Sequence, residues 1–176
     1  LVMSEAWSKI VLVAPTWRGP LAVMGAPETV RSGVRALVRS HFIGQLLYWL
    51  NTRPAFLKWM YRRHVFVDEN ALTPDYIAQR HQTTQKPGAR YAPAAFVTGG
   101  LDPVTTRADF LDYFESVTVP VMVIIGEQAP PASKAEMEAM AGVTQVLQSV
   151  RLSGTLGMAE EHGDAVAKAV LPFLQS

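Results

Sequence analysis

The sequence predicts an α/β fold in which helices cover parallel strands on both faces. Residues 119–125 and 10–14 carry this prediction, because each is a continuous apolar run rich in β-branched residues. Unbroken runs of this length are typical of strands that are buried on both faces of a parallel sheet. Residues 145–152 instead alternate, as a strand nearer the edge of a sheet does.

The length and composition limit the classes of protein to which this chain can belong. A length of 176 residues is enough for one domain with a substantial core. The 49% hydrophobic and 18% charged residues exclude a disordered chain, and a net charge of +1 gives no argument for nucleic acid. The absence of cysteine excludes disulfides and a thiol nucleophile and permits a reducing compartment, so we expect a cytoplasmic protein. No apolar run reaches the roughly 20 residues of a transmembrane helix.

The strand at residues 119–125 is the segment around which the chain is organised. It ends at Gly126, and Glu127 follows directly at the carboxyl end of the strand. Ligands and catalytic groups collect at such strand ends in α/β sheets. Ser133, with Glu136 three residues later, fits a capping box, so the next helix is expected to begin at Ser133.

A loop with two large side chains follows the strand at residues 10–14. Trp17 and Arg18 stand side by side in it, just after the carboxyl end of the strand. One interpretation is a packed Trp17 beside a solvated Arg18, since tryptophan is usually anchored by burial. The other is a pocket wall formed by Trp17, with Arg18 near an acidic group. The sequence leaves both open.

Helical segments fill the chain between the first two strands. Their start and stop signals predict helices from Pro27 and from Thr73–Pro74, and further ones over residues 42–50, 54–66, 91–97 and 107–116. Large apolar side chains are dense here, and they indicate a hydrophobic pocket. We expect Trp49 and Trp59 to contact a lipophilic ligand there.

The first long helix combines an apolar and a basic pattern. Val30, Val34, Leu37 and Val38 form its apolar face, whereas Arg31, Arg35 and Arg39 recur every fourth residue on another face. Residues 30–67 contain seven Arg and Lys but no Asp or Glu. A basic, aromatic-rich segment could bind an anionic membrane surface. We favour a solvated outer face for these charges. Liposome binding that ignores the anionic lipid content would contradict the membrane alternative.

The histidines give no metal signal. His41, His64 and His81 lie in predicted helices, where an isolated histidine is usually a surface or hydrogen-bonded residue. None is paired with another ligand at metal-binding spacing, so we expect neither a metal nor another cofactor. His162 stands at the end of a Gly-rich loop over residues 153–163, just before an amphipathic helix over residues 164–174.

The order of these elements resembles the second half of the α/β-hydrolase fold. Residues 119–127 are similar to the strand and loop that carry the catalytic acid of that family. Residues 154–174 are similar to its histidine loop and last helix. The resemblance implies a partial α/β-hydrolase fold of about three parallel strands, with a helical lid inserted between the first and second. The core would comprise residues 1–26 and 117–176, and the lid residues 27–116.

The resemblance also implies a lid-bearing serine hydrolase that acts on an ester-like lipophilic small molecule. His162 would be the base and Glu127 the acid that orients it, although the family's pattern places these residues nearer Ala159 and Ala129. The nucleophile of the family lies in a Gly-x-Ser-x-Gly elbow, and this sequence contains none, so we expect the chain alone to be inactive.

Structural, non-catalytic alternatives remain open for the same residues. His162 could be a surface residue near a helix N-terminus, and Glu127 could be structural. The whole chain could instead be a hydrolase-like binding or interaction module without catalysis. The strand near Ile10 would leave an apolar edge unpaired, so we also expect a homo-oligomer formed through this edge.

Overall fold

The sheet has the predicted parallel strands. A computed structural model describes residues 7–17, 19–102, 104, 106–143 and 147–176. Its strands are β1 (Ile10–Val13), β2 (Val121–Gly126) and β3 (Leu147–Leu152). They are all parallel, in the order β1-β2-β3. The α/β class and the three parallel strands are therefore confirmed, and residues 145 and 146 of the predicted third strand lie outside the described residues.

Helices connect the strands as the sequence predicted. Seven lie between β1 and β2 in the described residues, one lies between β2 and β3, and two follow β3. In chain order they are α1 (Pro20–Val23), α2 (Glu28–Arg39), α3 (Ile43–Asn51), α4 (Pro54–His64), α5 (Pro74–Thr84), α6 (Tyr91–Val97), α7 (Arg107–Glu115), α8 (Pro131–Ala141), α9 (Met158–Glu161) and α10 (Gly163–Gln175), with a 3₁₀ turn at Glu69–Ala71. None of the described helices combines the length and the apolar character needed to cross a membrane.

The central strand β2 lies at the heart of the core. All six of its residues are buried, whereas the four residues of β1 are half-buried. Met137 and Met140 of α8 and Met158 of α9 are buried in the same cluster. Each fully buried side chain of this size contributes about 1.5–3 kcal/mol. The unbroken apolar sequence of β2 thus reflects burial on both faces of the sheet.

The chain divides into two compact units. The sheet unit comprises Leu1–Trp17, His64–Val67 and Val104–Ser176, and the helical unit comprises Arg18–Arg63 and Asp68–Pro103. In the sheet unit, α7 packs through Phe110 on Trp17. The division into a core of residues 1–26 and 117–176 and a lid of residues 27–116 stays a prediction.

The predicted capping box of α8 is wrong. The helix begins at Pro131 with Pro130 as its N-cap, and no side chain caps it. Proline at the first helical position already has the backbone angle of a helix and lacks the N–H that would be left unpaired. Ser133 therefore lies inside the first turn, and Glu136 is engaged elsewhere.

Two arginines of α2 do not lie on a fully solvated face, as the sequence predicted they would. None of its residues is buried, and Val30 and Leu37 are exposed. Arg31 and Arg35 instead donate to the Thr98 carbonyl oxygen, at 3.3 and 3.1 Å. Thr98 follows the last residue of α6, where the final carbonyls of a helix have no partner within it. Their bonds to this oxygen explain why the side chains of Arg31 and Arg35 are largely shielded from solvent.

One short helix breaks the predicted Gly-rich loop. Residues 153–163 are not loop throughout, because α9 forms within them. Met158 at its start is fully buried in the core of the sheet unit. Its burial gives this segment a fixed position after β3.

Candidate functional site

Two loops meet at the carboxyl ends of β2 and β3 in the sheet unit. Glu127 N–H donates to the Leu152 carbonyl at 3.0 Å, and Gln128 N–H donates to the Gly154 carbonyl at 3.0 Å. The Gln128 side-chain oxygen in turn accepts from the Gly154 N–H. A Cβ atom at Gly126 would lie 2.8 Å from the Gly154 carbonyl oxygen. Glycine at position 126 therefore allows the two loops to approach this closely.

His162 lies against the second of these loops. Its N–H donates to the Met158 carbonyl at 2.8 Å, as the last step of α9. A Cβ atom at Gly154 would lie 3.1 Å from His162 Cδ2, and Gly154 has a φ of +139°, which an L side chain rarely adopts. Glycine at position 154 thus leaves room for the imidazole beside the end of β3.

The Nε2 atom of His162 has no hydrogen-bond partner among the described residues. This nitrogen is buried, although the side chain as a whole is about one third exposed. The neighbouring carboxylate is that of Glu161, whose Oε2 lies 3.8 Å away. That separation allows attraction to a protonated imidazole but is too long for a hydrogen bond.

Glu127 and His162 lie on adjacent loops but do not touch. The side chain of Glu127 is exposed, and its carboxylate forms no hydrogen bond or ion pair with a described residue. Its backbone carbonyl accepts from Lys134 Nζ at 3.2 Å. The structure therefore brings the two predicted catalytic residues near the same strand ends without assembling them. Their catalytic roles stay predictions.

Glu161 is the residue at this site that the sequence did not reveal. Its side chain is only 2% exposed, and its two oxygens lie 2.8 and 3.0 Å from the Val67 backbone nitrogen, which donates to them. In the sequence it follows another glutamate, and two adjacent acidic residues are typical of a solvated surface. Only the tertiary contact, across 94 positions of the chain, shows its role.

The segment His64–Val67, which we call the strap, is tied to the loop after β3. The Val65 carbonyl accepts from Gly157 N–H at 2.9 Å and from the Thr155 hydroxyl. A Cβ atom at Gly157 would lie 2.6 Å from the same Val65 oxygen. Together with the bond from Val67 to Glu161, these contacts hold the loop before His162 against the strap.

Trp17 is packed at the carboxyl end of β1. Its side chain is buried and stacks on Phe110, with ring centroids 4.7 Å apart and planes 12° apart. The indole N–H donates to Glu136 Oε2 at 3.1 Å, and Arg107 Nε donates to the same oxygen at 2.9 Å. Arg18 lies outside the described residues. Packing of Trp17 is thus observed, and its role as a substrate contact stays a prediction.

The other two predicted aromatic contacts belong to the helical unit. Trp49 is 47% exposed, and Arg53 Cζ lies 4.5 Å from its ring centroid. Trp59 is 48% exposed, with the Phe56 ring 5.4 Å away. Trp49 lines a cavity of about 490 Å³, and Trp59 does not. Neither contact with a substrate is tested by this arrangement.

The described residues offer no assembled metal site. No group of three His, Asp or Glu side chains in this part of the chain is arranged to hold a metal ion. The polar groups at the strand ends are bonded chiefly to backbone atoms. The chemistry available there is that of one imidazole and two carboxylates.

Fold, strand order and strand-end loops define a class of protein. The chain has a partial α/β-hydrolase fold, with parallel strands and with helices inserted between the first and second. Neither a protein-family model nor a curated protein matches the sequence.

Solved structures match the fold. The enol-lactonase from Burkholderia xenovorans LB400 is 15% identical with a TM-score of 0.67, and the match covers 99% of this chain and 59% of that one. A hydrolase from Pseudomonas aeruginosa PA01 is 15% identical with a TM-score of 0.65, over 100% and 58% of the two chains. A thermophilic esterase from Thermogutta terrifontis is 16% identical with a TM-score of 0.61, over 99% and 58%. The chain thus spans a little under three fifths of the length of these proteins.

Proposed function

We propose that this chain is the C-terminal portion of a lid-bearing serine hydrolase that acts on an ester-like, lipophilic small molecule. The observation that carries the proposal is the parallel β1-β2-β3 sheet, whose fold matches an enol-lactonase and an esterase. Those names describe acyl–oxygen chemistry in proteins with the same fold, and fold alone does not fix a reaction. We also propose a cytoplasmic location, which a chain without cysteine permits.

The proposed catalytic roles follow from the groups that are free to act. A serine nucleophile needs a base to take its proton, and an acid must orient that base. Glu161 is nearer to His162, but its two oxygens accept from Val67. Glu127 has a carboxylate with no partner among the described residues, on the adjacent loop. Glu127 is therefore the proposed orienting acid, His162 the base, and Trp17, Trp49 and Trp59 the proposed substrate walls.

The nucleophile is the decisive part of the test. This sequence contains no Gly-x-Ser-x-Gly, so the serine would come from polypeptide outside it. We expect the DNA upstream of the codon for Trp7 to encode that motif. A longer reading frame without it would contradict the enzyme and favour a binding module.

Activity measurements complete the experiment. The present chain should hydrolyse p-nitrophenyl butyrate no faster than buffer, and the longer polypeptide should hydrolyse it readily. In the longer polypeptide, His162→Ala should lower kcat by about 10³-fold or more, as loss of a catalytic base does. His41→Ala changes an exposed histidine of the helical unit and serves as the control. Equal rates in the two variants would remove His162 from the mechanism.

A non-catalytic binding or interaction module is the second candidate. It is favoured by the strand-end geometry itself, because Glu127 and His162 do not contact each other and Nε2 of His162 has no hydrogen-bond partner in the described part of the chain. Under this alternative the longer polypeptide would lack the serine motif and esterase activity, but it would retain the fold.

We further propose that the chain forms a homo-oligomer through the edge of β1. Ile10 and Ala14 donate their N–H groups to β2, so the N–H groups of Val11 and Val13 point away from it. In the described residues β1 pairs only with β2, and an open strand edge is a template for pairing.

Proline at position 11 tests this edge, because it removes an outward N–H without removing a bond to β2. Light scattering should give the mass of an oligomer for the native chain and of a monomer for Val11→Pro. A native chain that is a monodisperse monomer would contradict the proposal.

A further inference from the structure

A polar cavity of about 490 Å³ lies within the helical unit. One wall is α3, which contributes Tyr48 and Trp49. The other is the connection from α5 to α6, which contributes Lys86 and Arg90, together with Tyr91 at the start of α6. Cavities of 300–1,000 Å³ are the usual size of small-molecule sites. The space is therefore large enough for a compact organic ligand.

Hydrogen bonds hold the two walls together. Arg90 donates to Gln45 Oε1 at 2.7 Å and to the Tyr91 hydroxyl at 2.9 Å, and its guanidinium carbon lies 4.9 Å from the Tyr91 ring centroid. His81 Nδ1 is hydrogen-bonded to the Thr52 carbonyl at 2.8 Å, which joins α5 to the end of α3. These bonds preorganise the cavity, so a ligand would not have to order it.

The lining carries positive charge and no carboxylate. Lys86 and Arg90 line the cavity, and no Asp or Glu does. The Lys86 ammonium and the Tyr48 hydroxyl form no hydrogen bond with a described residue, so both can donate to a ligand. The cavity therefore offers unused donors and a field that favours an anion.

Aromatic rings supply the apolar part of the lining. Trp49 has one face covered by the Arg53 guanidinium and remains about half exposed. Tyr48 and Tyr91 lie on the same cavity. Flat π surfaces of this kind stack with a planar ring.

We propose that this cavity binds an aromatic carboxylate, with the ring against Trp49 and Tyr91 and the carboxylate near Lys86 and the Tyr48 hydroxyl. The site goes beyond the proposed ester hydrolysis and does not depend on it, because no nucleophile takes part. The Tyr48 phenol is protonated at neutral pH and can donate a hydrogen bond, and burial raises its pKa further above the usual value.

Calorimetric titration of the chain with 1-naphthoate tests the site, and 1-naphthamide is the neutral control with the same ring. Naphthoate should bind more tightly than naphthamide. Lys86→Gln should weaken naphthoate binding by about fivefold and leave naphthamide unchanged, since an exposed charge contributes about this much. Lys58→Gln, at another exposed lysine of the helical unit, should change neither.

A pair of aromatic variants tests the stacking surface. Trp49→Ala should weaken both probes, whereas Phe96→Ala, at a ring of similar exposure that does not line the cavity, should weaken neither. Equal binding of the two probes, no binding of naphthoate, or equal effects within either matched pair of variants would overturn the proposal. Calorimetry measures binding without turnover. Failure of the proposed hydrolase function would therefore not change the binding result, and the two proposals can fail separately.

Discussion

Glu161 and Val67 are joined by a backbone-to-carboxylate contact, with the Val67 nitrogen 2.8 and 3.0 Å from the two oxygens of a side chain that is almost fully buried. The contact joins the strap to the segment directly before His162. It places a structural carboxylate directly beside the proposed base.

The first prediction concerns this contact. Glu161→Ala should lower the free energy of unfolding by about 0.5–1.5 kcal/mol, because it removes the acceptor of the Val67 N–H hydrogen bond. Hydrogen exchange of the Val67 amide should accelerate as well. Glu115→Ala, at an exposed glutamate of α7, should change the stability by less than about 0.5 kcal/mol. Equal unfolding midpoints for the two variants in urea would show that the strap contributes nothing measurable.

A second prediction compares two glutamates on α8. Glu136 accepts from the buried Trp17 indole and from Arg107, whereas Glu138 pairs with Arg151 on the surface. Glu136→Ala removes the acceptor shared by the Trp17 indole N–H and Arg107, and it should cost about 1–3 kcal/mol. Glu138→Ala should cost less than about 1 kcal/mol, as exposed ion pairs usually do. Urea unfolding of both variants measures the difference, and a larger cost at Glu138 would contradict this account of Trp17.

Local signals in the sequence predicted much of the fold. The apolar run of β2 requires burial on both faces, and all six residues of the strand are buried. Thr73 before Pro74 predicted the start of α5, and the Thr73 hydroxyl does accept from Tyr76 N–H, at 3.2 Å. Such features depend on neighbours within a few residues, so a sequence pattern can contain them.

Features that depend on distant partners could not be predicted. Arg31 and Arg35 of α2 are partly shielded because they donate to the Thr98 carbonyl, more than 60 positions away. At α8 two start signals competed, and Pro131 prevailed over Ser133. At the candidate site, the position of Glu161 depends on Val67, which no spacing in the sequence indicates.

A third prediction contrasts two glycines within helices. A Cβ atom at Gly44 would lie 2.1 Å from the Val38 carbonyl oxygen, whereas one at Gly33 would have no neighbour within 4 Å. Gly44→Ala should therefore lower the stability by about 1–3 kcal/mol, because the backbone must shift. Gly33→Ala should raise it by about 0.5–1 kcal/mol through its helix propensity. Thermal unfolding of both variants shows whether each raises or lowers Tm. A fall in Tm for Gly33→Ala would contradict the open space at Gly33, and a rise for Gly44→Ala would contradict the close approach of Gly44 to the Val38 carbonyl.

The last prediction uses the ionisation of Tyr48. Burial raises the pKa of its phenol in the folded chain, so the folded state keeps this proton to a higher pH than the unfolded state does. The contribution of Tyr48 to stability is thus fully present below its unfolded pKa of about 10 and is lost as the pH rises through the higher folded value. Tyr48→Phe should make the free energy of unfolding fall less steeply between about pH 9 and 11, measured in urea, than it does in the native chain. Tyr113→Phe, at an exposed ring, is the control. If Tyr48→Phe and Tyr113→Phe flatten the profile equally, burial of Tyr48 between α3 and the α5–α6 connection does not govern its ionisation.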